Sequence, residues 1–489
     1  MLLFHDSFGE HFRNTSTNLS SPGPSPTETS DLAASLPGFI RPLPLAFSPA
    51  KVEYLQTHGV LTLPSIPLQN ALLRTFTECV LPCMPVIEWH RFVHIINGRD
   101  GRKGYISLLL YHAVMFSATT FVDFEHLLEA GYSSTRELQE MAFQKTKLLY
   151  ESDYESDELI VIQTLLLMTY RSETAGENEI KQWLDLAISM AQTIGLFQNQ
   201  LGTEDSLYSP RMRKRIGWAC YMTDCQISLR LRCRPSIKKE GFYHPMLTLD
   251  DFEIYTQSAE GQRLINGCPL ARDIKKQRDL ALICVSHARL CVCISEVLEI
   301  QGKNGQLHSL DELPPPSCQY RLLHSGDSSD GNSTLFVQRS LLHMVYYTTI
   351  AVLHQSQIFP SSKIRVHDAA HQITRIASEL HKRRLHNCLS ITGVTAILVA
   401  MVIHISVMRV SLFLQREEAM DDYKSCMVVM ASLQDVHSEA NAVTNWMFRA
   451  MASVALDGGP NCHGQDSELS LSGDLTVNPS FLHSNIFFN

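Results

Sequence analysis

Long stretches of helical periodicity dominate the sequence. From residue 104 onward, apolar residues recur at three- and four-residue spacing, the pattern of an amphipathic α-helix. The predicted helices cover residues 104–121, 134–150, 157–170, 179–197, 210–231, 270–300, 335–359, 364–383, 391–415, 419–438 and 440–456. Ser134 and Glu137 have the spacing of a capping box at one helix start. No run alternates polar and apolar residues as a strand would, so the sequence predicts an all-α fold.

Residues 391–408 form a nearly continuous apolar segment that has the length of a short membrane span. His404 lies within it, and the sequence shows no second segment of this kind. A helix that is apolar on all sides is also expected at the centre of a large helical domain. We therefore predict a buried core helix and no association with a membrane.

The two ends of the chain differ in composition from the middle. Residues 1–67 are rich in Ser, Thr and Pro, and residues 457–489 in Gly, Ser and Asn. Such segments bury too little apolar surface to offset the entropy cost of ordering, so both are predicted to be disordered. Residues 68–456 are predicted to form one large helical domain. A Pro- and Gly-containing stretch at residues 302–333 predicts a long loop between two helical halves.

Charge and cysteine content limit the class of protein. The 489 residues carry a net charge of -9 at pH 7, which does not favour a protein that binds nucleic acid over its whole surface. The 13 Cys are odd in number, and several lie inside apolar helical stretches. This pattern favours a reducing compartment over a secreted disulfide scaffold.

Residues 209–252 hold the most specific pattern in the chain. A Ser-Pro pair and the basic run R-M-R-K-R open a helix, and Trp218 and Tyr221 follow within it. Arg234-Pro235 then stops the helix, and P-M-L-T-L-D-D-F closes the segment. This order resembles the signature of the fungal-specific transcription factor domain, and within that family it is most similar to the cutinase transcription factor beta type.

Eleven residues carry the resemblance to this signature. They are Lys214, Arg215, Trp218, Tyr221, Asp224, Arg234, Pro235, Pro245, Asp250, Asp251 and Phe252. The chain departs from the signature at four positions, where the family usually has Trp, Arg, Gly and Arg. These positions hold Gly217, Cys225, Arg230 and Cys233. The linker at residues 238–244, K-K-E-G-F-Y-H, also departs from the family, because it is more basic and aromatic than the acid-containing linker that the family usually has.

The resemblance extends from about residue 70 to about residue 450. Upstream of the signature, residues 84–88 (M-P-V-I-E) match an early motif of the family. Ala187, Ala191 and Gly195 match a helix in which small residues at four-residue spacing let another helix pack closely. Residues 344–354 and 368–376 resemble two later helices. The resemblance implies a helical regulatory domain.

The signature residues are predicted to be structural rather than ligand-binding. Four bases, Arg211, Arg213, Lys214 and Arg215, lie at a helix N-terminus, where the helix dipole disfavours positive charge. They are expected to bind acids such as Asp224, Asp250 or Asp251, or to remain solvated. Trp218, Tyr221 and Leu229 are expected on the core face of this helix.

Proteins of this family read DNA through a zinc cluster, and no set of cysteines in this sequence has the spacing of one. A zinc cluster needs six Cys in repeated C-x2-C-x6-C spacing, because zinc binds thiolates presented at short, regular intervals. Cys79 and Cys83 are separated by three residues and Cys291 and Cys293 by one, so neither pair fits. Three explanations are open: the chain has lost the zinc cluster, its gene model begins too late, or a partner protein reads DNA. No cofactor is predicted, and zinc is expected only with such a cluster.

The sequence carries no motif that is typical of a catalytic site. His367 and His371 are one helical turn apart, as two zinc ligands would be. A metalloprotease would need Glu as the base and a third ligand, and neither follows, so these are predicted to be surface or packing histidines. The sequence contains no G-x-S-x-G, no P-loop and no dinucleotide-binding turn. We therefore predict that the chain is not an enzyme.

The resemblance implies a regulator of RNA polymerase II transcription in a fungal nucleus, acting on metabolic or secondary-metabolite genes. It would reach DNA through a missing N-terminal module or through a homo- or heterodimer with a DNA-binding relative, and a small-molecule effector could control it. The alternative is a helical module that binds a protein or a small apolar metabolite without transcriptional work. Its pocket would be lined by Trp218, Tyr221 and residues 391–408.

Overall fold

The computed structural model describes residues 36–171, 177–198, 209–256, 258–265, 268–300, 330–355, 360–410 and 413–434. Within these ranges the regular structure is helical, and one isolated parallel bridge joins Ile40 to Ile106. The α-helices are α1 (Pro49–Thr57), α2 (Ile66–Thr75), α3 (Trp89–Gly98), α4 (Leu108–Ala118), α5 (Phe124–Glu129), α6 (Thr135–Glu151), α7 (Glu158–Met168), α8 (Glu177–Thr193), α9 (Pro210–Leu231), α10 (Ala259–Leu264), α11 (Ile274–Ile300), α12 (Asp330–Gln355), α13 (Pro360–Lys382), α14 (Ile391–Val410) and α15 (Phe413–Ser432). The all-α prediction is confirmed.

Several predictions fall on residues outside the described ranges. These are the disorder of residues 1–35 and 457–489, the loop at residues 302–329 and the helix at residues 440–456. The predicted loop is wrong at its end, because α12 already begins at Asp330.

Residues 36–67 were predicted to be disordered, and this prediction is wrong. The Pro-punctuated stretch contains α1, whose first turn is capped by Ser48 and begins with Pro49 at a position where Pro is favoured. Leu55 is fully buried, and the Phe39 ring lies 6.0 Å from that of Tyr111. The prolines therefore mark turns and a helix start, and the apolar residues between them pack into the core.

Two hydrophobic cores lie side by side. The first is built mainly from the helices before α12, and the second from α12 to α15. Helix α12 belongs to both: Leu342 and Val345 face the first core, while Leu341 and Met344 face the second. The boundary between the two cores is therefore a helix that both share.

Helix α14, which contains the predicted apolar segment, is a component of the second core. Of its apolar window, Ile391–Arg409, 72% is buried inside the protein. A second helix, Ile274–Glu299, also meets the length and composition of a span and is 78% buried, so the prediction of a single such segment is wrong. Polar residues interrupt the apolar residues of this second helix, so the sequence pattern did not identify it as a continuous apolar segment.

Two local predictions are only partly right. The Ser134 hydroxyl accepts from the amide of Glu137 at 3.2 Å, but the Glu137 carboxylate binds the amide and hydroxyl of Ser133, one residue before the expected partner. Ala191 is fully buried on α8, as a ridge residue should be. Gly195, however, lies beyond the helix with φ +64°, where it forms a C-terminal cap and not part of the ridge.

Candidate functional site

The signature helix, α9, has the predicted limits. The Ser209 hydroxyl accepts from the amide of Met212 at 3.2 Å, and Pro210 occupies the first turn, where its missing N–H costs nothing. The helix ends at Leu231, and Arg232 follows in the left-handed conformation with φ +54°. The motif therefore encodes one helix with a defined start and a defined stop.

Two basic residues of the first turns are tied to the acidic end of the signature. Lys214 Nζ lies 2.7 Å from Asp251 Oδ2, and an Arg215 terminal nitrogen lies 3.0 Å from Glu253 Oε1. These carboxylates offset the unfavourable interaction of the two bases with the helix dipole. Asp251 was an expected partner, but Glu253 was missed because it lies just past the motif.

Asp251 also organises its own turn. Its Oδ2 accepts from the amide of Thr248 at 2.7 Å and from the Thr248 hydroxyl at 3.1 Å, which closes a capping box on the 3₁₀ turn Leu249–Asp251. Phe252 packs half-buried against the first core. Asp250 is exposed, and the prediction that it binds a base of the signature helix is not supported by any ion pair among the described residues.

An aromatic cluster joins the signature helix to the segment that follows it. Trp218 Nε1 donates to the carbonyl of Pro245 at 2.9 Å. The Phe242 ring lies 5.0 Å from that of Trp218 and 4.8 Å from that of Tyr221. Trp218, Tyr221 and Leu229 are buried, as predicted. Phe242 was missed because the linker that contains it departs from the family pattern.

The absence of the usual Trp at Gly217 is matched by a histidine from the linker. A Cβ at Gly217 would lie 2.8 Å from Cδ2 and Nε2 of His244. His244 Nε2 is in turn 2.5 Å from the carbonyl of Leu196, the residue that follows the cap of α8. The imidazole therefore fills the space beside a residue without a side chain and connects α8 to α9.

This arrangement predicts the effect of Gly217→Ala. Such a change inside a helix ordinarily stabilises it by about 1 kcal/mol. Here we expect no gain or a loss, because the new methyl group displaces the His244 ring from Leu196. In a His244→Ala background the same change should restore the gain of about 1 kcal/mol. Urea unfolding of the four proteins measures both values, and equal gains in the two backgrounds would contradict the packing argument.

Asp224 holds the turn after the helix and is not a partner of the basic residues. It is buried, and its Oδ2 accepts from the amide of Ile237 at 2.7 Å. Burial raises the pKa of Asp224, while the amides of Ile237 and Ser236 oppose that rise. Arg234, which is exposed, and Pro235, which is half-buried, lie in the turn that Asp224 fixes. Arg234 and Pro235 thus match the signature because they belong to the turn in which the chain reverses direction after α9.

The early motif at residues 84–88 meets the signature at Glu253. The amide of His90, just after the motif, donates to Glu253 Oε2 at 3.3 Å, while Oε1 binds Arg215. The His90 imidazole stacks on the Tyr255 ring with centroids 3.5 Å apart. Gln163 on α7 donates to the carbonyl of Val86. Two motifs that lie more than a hundred residues apart in the sequence therefore form one structural junction.

A cavity of about 110 Å³, the central cavity, lies between the two cores. Its walls come from α9, α11, α12 and the start of α14, and they are mostly apolar. Among its polar groups, Gln226 Nε2 lies 2.6 Å from His287 Nε2, and Cys83 donates to Gln338 Oε1 at 2.9 Å. This volume is below the roughly 300–1,000 Å³ of sites for drug-sized ligands, so the space suits only a very small, largely apolar molecule that carries a hydrogen-bonding group.

The predicted pocket is only partly right. Residues Ile391, Thr392 and Thr395 of α14 do line the central cavity. Trp218 and Tyr221 do not, because they lie in the aromatic cluster with Phe242. The signature helix instead contributes its later turns, from Met222 to Arg230. The error arose because the aromatic face was assumed to point toward the apolar helix.

His367 and His371 belong to a small polar cluster in the second core. His371 Nδ1 lies 2.8 Å from Asp422 Oδ2, and the ring of His367 lies 6.4 Å from that of His404. His404 Nε2 is 2.9 Å from the Thr374 hydroxyl. No group of three or more His, Cys, Asp or Glu among the described residues is arranged to hold a metal ion.

The sequence is similar to those of fungal transcription factors. The family described as "Fungal specific transcription factor domain" matches residues 72–382. Cutinase transcription factor 1 beta of Fusarium vanettenii is 42% identical over 480 residues, which cover 88% of this chain and 54% of that protein. Transcription factor cpaR of Aspergillus oryzae is 28% identical over 434 residues, covering 79% of this chain and 72% of that one.

A more distant relative is the fusaric acid cluster transcription factor FUB12 of Fusarium oxysporum f. sp. lycopersici. It is 25% identical over 173 residues, which cover 35% of this chain and 25% of that protein. The chain spans about half the length of the first curated relatives that it matches. No solved structure gives a significant match.

Proposed function

Because the chain belongs to the fungal-specific transcription factor domain family, we propose that it regulates the transcription of metabolic or secondary-metabolite genes by RNA polymerase II in a fungal nucleus. The match over residues 72–382 carries this proposal. The relatives named for cutinase and for the fusaric acid cluster support the class of target genes. All of these relatives are named as transcription factors, and we propose no catalytic role for this chain.

The described helices would serve as the regulatory part of this function. The ion pairs from Lys214 and Arg215 and the Trp218 hydrogen bond keep the signature together as one scaffold. The central cavity lies where two cores share one helix, so a small effector bound there would change how the cores pack. We propose that regulation acts through this boundary.

Reading of DNA would be the task of a zinc cluster, in this protein or in a partner with which it dimerises. The net charge of -9 favours contact with DNA through such a module over contact through the helical domain. Zinc would be bound only by that module. Specific binding of the purified chain alone to DNA, well above its binding to random DNA, would contradict the idea that a partner reads the sequence.

A tethering experiment tests the regulatory role. We expect the full chain, fused to a heterologous DNA-binding domain, to change the output of a reporter several-fold, and a tagged copy to enter the nucleus. Deletion of the gene should alter a coherent set of metabolic transcripts. An unchanged reporter together with exclusion from the nucleus would overturn the proposal.

The second candidate is a helical module that binds a small apolar molecule without transcriptional work. The central cavity, with its mostly apolar lining, favours it. It would be supported if a small apolar ligand raised the melting temperature of the chain while the tethered reporter and the transcriptome stayed unchanged. The same ligand shift with a reporter response would instead make that ligand an effector of the regulator.

A further inference from the structure

A second cavity, the inner cavity, lies beside the junction of the early motif and the signature. Its volume is about 100 Å³, and its walls come from the segment before α3, from the signature helix with the segment after its closing turn, and from the start of α11. Most of the residues that line it are apolar, among them Ile87, Ile254 and Leu280. An apolar cavity of about 150 Å³ holds a benzene molecule, so the inner cavity has room for a group of roughly three or four carbon atoms.

The inner cavity adjoins an open cleft at the surface, the outer cleft, whose volume is about 500 Å³. Four residues line both spaces: Arg215, Phe252, Glu253 and Ile254. The volume of the outer cleft lies within the range of roughly 300–1,000 Å³ that is usual for small-molecule sites. Together the two spaces offer a ligand an open polar part and a narrower apolar part.

Three buried polar atoms of residues that line the inner cavity have no hydrogen-bond partner among the described residues. They are two donors, Trp89 Nε1 and Arg215 Nε, and one acceptor, Gln277 Oε1. Trp89 is 5% exposed and Arg215 is 4% exposed. Gln277 Nε2 donates to the carbonyl of Leu270 at 2.7 Å, which identifies the remaining amide atom as the oxygen. Buried polar groups are almost always hydrogen-bonded, so these three atoms indicate a partner from outside the chain.

A network of contacts holds these three residues around the same space. Glu253 binds a terminal nitrogen of Arg215 at 3.0 Å and the amide of His90, which follows the tryptophan in the chain, at 3.3 Å. The His90 ring stacks on that of Tyr255 with centroids 3.5 Å apart. Gln277 Nε2 in turn donates to the Tyr255 carbonyl at 3.2 Å. The two donors and the acceptor are therefore fixed by one set of connected contacts.

The charges at the outer cleft are balanced. Three carboxylates and three guanidinium groups line it: Glu88, Asp251, Glu253, Arg91, Arg211 and Arg215. A ligand with a single charge of either sign would meet groups of like charge as well as groups of opposite charge. A lining of this kind favours a ligand that carries one charge of each sign, because each charge then has an opposite partner.

We propose that this site binds a free α-amino acid with a small aliphatic side chain, such as leucine or valine. The carboxylate accepts from Arg215 Nε and Trp89 Nε1, since hydrogen bonds to a charged acceptor are the stronger ones. The ammonium group donates to Gln277 Oε1, and the side chain occupies the apolar part of the inner cavity. The ligand thus supplies the two acceptors and the donor that the buried atoms lack.

Calorimetric titration of the full chain tests the proposal. It needs no reporter, so its outcome is separate from that of the proposed function. We expect L-leucine to bind. Isocaproate lacks the ammonium group and isoamylamine lacks the carboxylate, and each should bind at least about tenfold more weakly, the loss expected for a hydrogen bond to a charged group. Glycine lacks the side chain and should also bind at least about tenfold more weakly. No binding of leucine or valine, or equal affinity for leucine and any of these three analogues, would overturn the proposal.

Two tryptophan variants locate the site. Trp89→Phe keeps an aromatic ring but removes the N–H group, and it should weaken leucine binding by about tenfold. Trp183→Phe is the matched control. Trp183 Nε1 is also buried without a partner among the described residues, but Trp183 lines neither space, so leucine binding should stay as in the wild type. Equal affinities of the two variants would contradict the placement of the carboxylate.

Hydrogen exchange of the wild-type chain locates the site even if Trp89→Phe does not fold, which melting of the variant reveals. Leucine should slow the exchange of residues 86–92 and 252–256, which surround the inner cavity and the outer cleft. Residues 338–348, which border the central cavity, should exchange as they do without leucine. Slower exchange at residues 338–348 alone would place the ligand in the central cavity and overturn the proposal.

Discussion

Replacement of Trp218 by alanine is expected to lower the free energy of unfolding by about 3–5 kcal/mol, the range for a buried Trp or Phe cut to Ala. Trp218 is 3% exposed and packs against the rings of Tyr221 and Phe242. Its indole N–H is also bonded to the carbonyl of Pro245, so the change loses packing and the anchor of the linker together. Urea unfolding followed by circular dichroism measures the loss.

Two further variants separate these contributions. Trp218→Phe keeps a buried ring but leaves the Pro245 carbonyl without its donor, so we expect a loss of about 1–3 kcal/mol. Tyr243→Ala removes a ring from the same linker that is 63% exposed, and we expect a change within about 0.5 kcal/mol. If Trp218→Ala were no more destabilising than Tyr243→Ala, the signature would not be the scaffold that the contacts indicate.

The limits of the signature helix could be predicted because the signals that set them are local. Ser209 caps the helix, Pro210 suits its first turn, and Arg234-Pro235 follows shortly after the last turn. The shorter helices α1, α2, α3, α5 and α10 were missed. Helices α5 and α10 are only six residues long, and α1 and α2 begin with a proline in the first turn, so burial against the rest of the fold keeps them helical more than periodicity does. Helix α3 is different: five of its ten residues are buried apolar ones at helical spacing, so its signal was present in the sequence and was missed.

Contacts within the site were predicted only where both partners belong to the motif. Asp251 was expected to bind a base of the signature helix, and it binds Lys214. Glu253 lies outside the motif, and Phe242 and His244 lie in a linker whose composition departs from that of the family. Their roles depend on how the segment after α9 folds back against that helix, and no spacing of residues in the sequence predicts this path.

The central cavity had no sequence signal at all. It arises at the boundary of two cores, where α9, α11, α12 and α14 meet. Each of these helices shows only that it has an apolar face, and many packings satisfy such a pattern.

Acidification is expected to destabilise the protein through two buried histidines, His112 and His404. Burial lowers the pKa of each to about 3. Lys145 adds to this effect at His112, as do His367 and His371 at His404, while the Val60 carbonyl opposes it at His112. Between the folded value and the ordinary value near 6.5, the unfolded chain binds the proton that the folded chain excludes. The stability that these two neutral histidines contribute is therefore fully present above about pH 6.5 and is lost progressively as the pH falls toward their folded pKa of about 3.

The expected loss is about 1.4 kcal/mol per pH unit for each histidine, or about 4 kcal/mol for the two together between pH 7 and pH 5. His112→Gln and His404→Gln should each flatten the pH dependence of the unfolding free energy by about 2 kcal/mol over this interval. His94→Gln changes an exposed histidine of α3 and should leave the dependence as in the wild type. Parallel curves for all four proteins would show that neither buried imidazole excludes its proton. In that case Asp422, which lies 4.0 Å from His404, would be the first group to examine as a partner for a charged ring.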